Sequence, residues 1–224
     1  MISHHIQKHI VGVLIHQKYA RFRDLRPPGV DTNLYSYHLK AMQKDGWVEK
    51  TTEGYTLTQN GLAYVDRVSL KKLNVRSQPK IISMLVVQNS DGDVLLLRRT
   101  KQPYIDTWTL PYGKTHIDDP SILEGAKREW REKLGDEPAT IVHAGDGYIR
   151  VKKDETVIST TLAHVFYITD DNVQMNGKLQ WVRPHKLTQY DLAPAVEQIV
   201  ARTFFRDQYF FEEFEEEWQL SSGV

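Results

Sequence analysis

Residues 113–136, GKTHIDDPSILEGAKREWREKLGD, constrain the fold more than any other stretch of the chain. The end of this segment reads Arg128-Glu129-Trp130-Arg131-Glu132-Lys133-Leu134-Gly135. On a helix, positions three apart are surface neighbours, so Glu129 and Glu132 share one face. The residues before it, Trp108-Thr-Leu-Pro-Tyr-Gly113-Lys114, make a Pro- and Gly-containing loop that feeds the helix. Carboxylates clustered on a helix beside such a loop are a candidate site for a hard cation, and Mg²⁺ held that way can clamp a diphosphate.

This pattern resembles the Nudix box: Gly, five residues, Glu, seven residues, then Arg-Glu-apolar-x-Glu-Glu-x-Gly-apolar. Gly113, Arg128, Glu129, Trp130, Glu132 and Gly135 fit it. The Gly-to-Arg interval is one residue too long, which places a small insertion around residues 116–119. The early Glu of the pattern falls on Pro120, with Asp119 the nearest acid, and the final apolar position is Asp136. The second Glu of the terminal pair is Lys133. The resemblance assigns Arg128, Glu129 and Glu132 to catalysis, and Glu129 and Glu132 to Mg²⁺. Lys133 weakens that metal site, because Glu129 to Lys133 is the favourable i,i+4 order for an intrahelical ion pair.

The chain has 224 residues, which suits one large or two modest domains. It is 40% hydrophobic and 26% charged, ordinary for a soluble globular protein. No apolar run reaches membrane-spanning length, and MISHHIQKHI lacks the apolar core of a signal peptide. The absence of cysteine excludes disulfides, thiolate zinc sites and cysteine nucleophiles. A cytoplasmic location without membrane partners is the expectation.

The formal net charge of zero conceals a polarity. Residues 1–80 carry 13 Lys and Arg against 6 Asp and Glu, a surplus of +7 that the remainder offsets. Such asymmetry hints at an anion-binding module joined to an acidic one. The expected organisation is a winged helix-turn-helix domain at 1–76, a linker at 77–80, a Nudix domain at 81–203 and an amphipathic acidic and aromatic helix at 204–224.

In the first segment, Ile6, Ile10, Val13 and Leu14 recur at helical spacing, predicting a helix to about Tyr19. A short second helix is expected over residues 21–26, ended by Pro27-Pro28-Gly29. A third, capped by Asp31 or Thr32, runs to about Lys44, with Tyr35, Leu39 and Met42 inward. Residues 47–58 read as strand, turn and strand, a wing, and residues 60–72 as a closing helix. The string YHLKAMQKDGWVEK, followed by GYTLTQNG, is similar to small prokaryotic winged-helix regulators. In that fold the third helix enters the major groove of double-stranded DNA. Its exposed positions are Asn33, Ser36, Tyr37 and Lys40, with Arg21, Arg23, Arg26 and Lys50 available for phosphates. The bland alternative is a winged helix used for packing. Such regulators usually pair on two half-sites, so a homodimer is expected.

The second segment predicts strands over residues 81–87 and 94–99 around an Asn89-Ser-Asp-Gly92 turn. After the box helix come strands over 140–151 and 156–168, a segment at 180–184 and a helix over 193–203. The resemblance implies an α/β class fold, an α/β/α sandwich with a mixed sheet. Candidate ligand contacts are Gly113, Lys114, Arg98, Arg99, Trp108 and Tyr112. Only one of the adjacent Arg98 and Arg99 can face a site from a strand. Tyr104, Trp108 and Tyr112 are candidates for stacking a base, or for packing alone. His116 is either a substitute acid or base or a solvated loop histidine. Asp154 and Glu155 lie at a hairpin tip, as a further catalytic acid or a solvated turn. In the tail, Phe211, Phe214 and Trp218 fall on one helical face among glutamates, with the aromatics docked on its own domain or on a dimer partner, or with the acidic face lying against the basic N-terminal domain.

Two functional classes follow from the resemblance. One is a ligand-responsive transcription regulator, binding a nucleoside-diphosphate-linked metabolite with weakened or lost hydrolysis. Family regulators join these two modules in the opposite order. The other is a working Mg²⁺-dependent pyrophosphohydrolase with an accessory winged helix.

Overall fold

The computed structural model describes residues 2–69, 74–75, 78–136, 140–204 and 208–218. The chain divides into two compact units, Met1–Ser77 and Gln78–Val224.

The first unit contains α1 (His5–His16), α2 (Thr32–Lys44), β1 (Val48–Lys50), β2 (Tyr55–Leu57), α3 (Gln59–Arg67), β3 (Val68–Ser69) and β4 (Asn74–Val75). Ile6, Ile10, Val11 and Leu14 form the buried stripe of α1 and meet Tyr35, Leu39 and Met42 of α2. Asp31 starts α2, its carboxylate accepting the amides of Asn33 and Leu34 at 2.8 and 3.1 Å. Gly46 ends it. With φ of 72° it turns the chain left-handed, so the amides of Gly46 and Trp47 close on Gln43 and Met42. β1 and β2 pair antiparallel with Val48 opposite Leu57. The unit fits a winged helix.

Three details depart from expectation. α1 stops at His16, because Gln17 is extended and Ala20 pairs with Tyr55 of the wing, which requires an extended approach. Residues 21–26 make a turn rather than a helix. The stretch allows a single helical turn, and Arg26, preceding Pro27, is pushed away from helical backbone. α3 ends at Arg67, after which Val68–Ser69 pairs with Asn74–Val75. The rest of the expected closing helix, residues 70–72, lies outside the described residues.

The second unit contains β5 (Lys80–Gln88), β6 (Val94–Arg98), β7 (Trp108–Thr109), β8 (Tyr112–Lys114), α4 (Ile122–Lys133), β9 (Val142–Lys153), β10 (Thr156–Thr169), β11 (Leu179–Val182), α5 (Val196–Phe204) and β12 (Phe210–Glu217). Its mixed sheet runs β11-β6-β5-β10-β9-β12, with β7 on β6 and β8 on β5. β10 is parallel to β5 and antiparallel to β9. Alternation along β5 divides the core. Ile82, Met84 and Val86 pack with Ile199 and Val200 of α5, while Leu85 and Val87 pack with Ala126 and Trp130 of α4. Helices therefore cover both faces, an α/β/α sandwich. No described helix is long and apolar enough to cross a membrane.

The tail corrects the sequence reading. Residues 210–217 form a strand parallel to β9, not a helix. Phe210 and Phe214 point into the core, whereas Phe211, assigned to the buried helical face, is exposed. β9 would otherwise present an unpaired edge, and β12 covers it. Two of the glutamates find basic partners within the same unit: Glu215 pairs with Arg150 and Lys152, and Glu212 with Arg202. Residues 205–207 and 219–224 of the expected helix lie outside the described residues.

Candidate functional site

Ser121 caps α4, accepting the Glu124 amide at 3.2 Å, and aims the helix across the sheet with Ala126, Glu129 and Trp130 buried. β8 runs along the same side and brings Gly113 against Glu129. A Cβ at Gly113 would lie 1.8 Å from the Glu129 carboxyl carbon, so no larger residue fits unless that carboxylate moves.

Glu129 is 3% exposed, and two cations neutralise it. Arg128 Nη1 donates to its Oε1 at 2.6 Å, and Lys133 Nζ donates to Oε2. Arg128 also clamps Asp119 through two bonds, Nε to Oδ1 at 2.9 Å and Nη2 to Oδ2 at 2.8 Å. Its Nη2 reaches the Lys114 carbonyl at 3.0 Å. Asp119 in turn accepts the His116 amide at 2.7 Å. The Arg128 hydrogen bonds hold the Asp119 carboxyl well below the ordinary carboxylate range, and Asp119 holds the guanidinium above its own ordinary value. Glu132 is different: its side chain is 53% exposed and lies 3.5 Å from Arg128.

These residues, as arranged, do not fit Mg²⁺. A hard cation needs several oxygen ligands. Both Glu129 oxygens are engaged by ammonium or guanidinium groups, and both Asp119 oxygens by Arg128. Glu132 alone offers a largely free carboxylate on this face of the helix.

Beside α4 lies a cleft of about 480 Å³ walled by Arg98, Arg99, Lys101, Lys114, Lys133 and Lys178, with Glu132 its one carboxylate among the described residues. Thr109, Tyr112, Lys114 and Arg99 also line an adjoining chamber of about 250 Å³, whose other walls include Met84, Tyr104, Ile149 and Val151. Arg99 marks the junction. Its guanidinium lies 5.7 Å from the Tyr104 ring centre and 5.4 Å from that of Tyr112, and it donates to the Tyr112 hydroxyl and, at 2.9 Å, to the Pro103 carbonyl. Burial, with Arg99 and Lys114 nearby, pushes the Lys80 ammonium below its ordinary value. Cations at one end and aromatic and aliphatic walls at the other suit an anionic ligand with a ring attached.

The structure thus gathers Gly113, Lys114, Arg99, Tyr112, Arg128, Glu129, Glu132 and Lys133 into one region. Arg98 reaches the cleft rim but pairs with Asp106 at 3.3 Å. Trp108 lines neither cavity and packs edge-on to Tyr190 at 6.0 Å. His116 is exposed, and Asp154 and Glu155 form a turn with φ of 48° and 62°. In the first unit, Asn33, Tyr37 and Lys40 are exposed on α2 and Ser36 is half-buried. Arg21 and Lys50 are exposed, Arg23 pairs with Asp24 at 3.4 Å, and Arg26 donates to Thr32 at 2.6 Å.

Sequence reasoning missed Lys80, Lys101 and Lys178 as cavity walls, since lysines scattered over a hundred residues carry no local signal. It also missed a cluster of His143, Asp146 and His164, which arises from strand pairing alone.

Sandwich, box helix and connecting loop together define a Nudix-type domain. The family model described as NUDIX domain matches residues 78–204, and the chain belongs to that family. Its fold is similar to that of the mutator MutT protein from Bacillus halodurans, at 23% identity and a TM-score of 0.51, covering 61% of this chain and 89% of that one. It is also similar to the NUDIX domain of Shewanella oneidensis NrtR complexed with ADP ribose, at 17% identity and a TM-score of 0.49, covering 63% and 94%. The MutT protein from Methanosarcina mazei Go1 is 27% identical, with a TM-score of 0.44 and coverage of 58% and 96%. Comparison with curated proteins gives no match.

Proposed function

We propose that this protein is a cytoplasmic, ligand-responsive DNA-binding regulator. Its Nudix domain captures a nucleoside-diphosphate-linked metabolite without depending on hydrolysis. The observation that carries this reading is the neutralised Glu129, paired to Lys133 where the box has a second carboxylate. Converting a carboxylate to an ammonium removes a metal ligand and adds a cation to a cleft already rich in them, which disfavours a divalent ion and favours a phosphate. The diphosphate would lie among Arg99, Lys114 and Lys133, and the ring would enter the adjoining chamber beside Met84, Tyr104, Ile149 and Val151. The winged helix supplies the readout. Asn33, Ser36, Tyr37 and Lys40 face bases, Arg21, Arg23, Arg26 and Lys50 face phosphates, and a homodimer spans two half-sites.

A second reading, an Mg²⁺-dependent pyrophosphohydrolase, is favoured by the exposure of Glu132 on the cleft. Calorimetry with ADP-ribose as probe, in EDTA and in Mg²⁺, separates the two. Affinity within about threefold in both conditions, with intact ligand recovered, supports capture. Binding confined to Mg²⁺ and accompanied by turnover overturns it. For the readout, a duplex selected by the protein is titrated at several salt concentrations. Lys40→Ala should weaken it and lower the salt slope by about one if Lys40 meets a phosphate, and should relax base preference if it meets a base edge.

A further inference from the structure

On the β9–β10 ladder Asp146 lies directly opposite His164, so both side chains leave the same face of the sheet. His143 is three residues from Asp146, and in a regular strand it would point to the opposite face. A bulge corrects this. The register steps from Val165 opposite Gly145 to Phe166 opposite His143, leaving Ala144 as the extra residue. The bulge rephases the alternation and swings His143 over Asp146, with its ring stacked on Phe166 at 4.9 Å.

The result is convergent. His143 Nε2 lies 2.9 Å and His164 Nδ1 2.7 Å from the same Asp146 oxygen, Oδ1, and one ligand atom from each of the three residues lies within 4.8 Å of the others. Tyr209 donates its hydroxyl to the other oxygen, Oδ2. Among the described residues no Lys or Arg pairs with Asp146. The three side chains are 14–29% exposed, and His143 and Tyr209 line a cleft of about 570 Å³ through which an ion can enter. Two imidazoles and a carboxylate with a position left open suit borderline-soft divalent ions; an all-oxygen set suits Mg²⁺. Tetrahedral bonds of about 2.05 Å separate ligand atoms by about 3.3 Å, so each imidazole nitrogen needs to withdraw from the carboxylate oxygen by about half an ångström.

We propose that His143, Asp146 and His164 form a transition-metal site that takes Zn²⁺, with Tyr209 orienting the carboxylate from outside the ligand set. Tyr209 immediately precedes β12, so occupancy also clamps the start of that strand to β9.

The test uses the full chain, stripped with EDTA, dialysed and titrated with Zn²⁺ by calorimetry and metal analysis. One ion per chain at micromolar affinity or tighter is expected. The His143→Ala/His164→Ala double variant should lose it at least a hundredfold, and Tyr209→Phe about tenfold, as expected for an outer partner of a ligand. In the first unit His4 stacks on His38 and lies 4.4 Å, ring centre to ring centre, from His5, making the competing histidine group, so His5→Ala/His38→Ala should bind normally. Glu132→Gln, on the box helix, should also bind normally. Should the double variant fail to fold, Co²⁺ added to the wild type must give the visible absorption of a low-symmetry site, with ring-nitrogen NMR shifts at His143 and His164. No binding by the wild type, binding lost with the N-terminal or Glu132 variants, or shifts confined to other histidines would each overturn the proposal.

Discussion

Glu129 and Asp146 are two partly or fully buried carboxylates of the same sandwich, and their partners differ in kind. Glu129 receives hydrogen bonds from a guanidinium and an ammonium, while Asp146 receives them from two imidazoles and a phenol. Arg and Lys are charged near neutral pH and offer no lone pair, so a metal can reach Glu129 only by displacing them. A neutral imidazole carries a lone pair on one ring nitrogen and can exchange its proton for a metal bond. The family's expected metal position is therefore electrostatically closed, while an unexpected position holds ligand-type side chains. Carboxylate burial alone does not mark a metal site; the partner chemistry does.

Opening the closed position should produce the largest change. Lys133→Glu removes the ion pair on Glu129 and supplies a third acid beside Glu129 and Glu132. A change of two charge units this close to a divalent ion should raise Mg²⁺ affinity on the order of a hundredfold. Calorimetry with Mg²⁺ measures it, and release of product from ADP-ribose reports whether chemistry follows. Unchanged Mg²⁺ affinity would show that Lys133 is not what closes the helix. Zn²⁺ binding at His143 and His164 should be the same in the variant and the wild type.

If the closed helix leaves ligand capture to the cleft, Arg99 carries the next largest effect. It sits between Tyr104 and Tyr112 at the junction of the two cavities. Losing a charge-assisted bond to a phosphate costs about 2 kcal/mol, so Arg99→Ala should weaken ADP-ribose roughly thirtyfold. Arg98 is half-exposed and paired with Asp106, and Arg98→Ala should cost less than about threefold. Equal losses at the two positions would remove Arg99 from its assigned place.

The sandwich was legible because its signals are local. Leu85 and Val87 alternate with Met84 and Val86, and the box spacing places Glu129 and Trp130 on the buried side of α4. The tail misled because Phe211, Phe214 and Trp218 satisfy a helical period, while Phe210 and Phe214, an even number of residues apart, share one face of a strand. What decided between them was the open edge of β9, which the tail's own sequence does not contain. The site was legible where one segment holds it, as with Arg128 and Glu129. Part of its wall was not, since Lys80, Lys101 and Lys178 come to the cavities only after the sheet forms. The histidine cluster was hidden more deeply. Without the Ala144 bulge, His143 and Asp146 point to opposite faces, and nothing in the sequence announces a bulge there.

Asp119 offers the smallest but most specific probe of how the closed position is kept closed. It stands one residue from where the box expects a Glu, and its two bonds fix the Arg128 guanidinium over Glu129. Asp119→Asn keeps the shape and removes the charge. Weakening a largely buried, doubly bonded pair should lower the melting temperature at pH 7 by roughly 5–10 °C. The sign with pH follows from the direction of the shift. The Asp119 carboxyl is held below its ordinary value in the folded protein, so on acidification the unfolded chain takes up this proton first. The pair's contribution is complete above about pH 4, the unfolded aspartate range, and disappears as pH falls through the lower folded-state value. The gap between wild type and Asp119→Asn should therefore be constant from pH 5 to 8 and narrow below about pH 4, with other carboxylates cancelling between the two proteins. A gap that stays open in acid would mean the substitution acts through packing. No gap at pH 7 would mean Arg128 is held over Glu129 by Lys114 and Glu129 themselves, and the closed site would not need Asp119 at all.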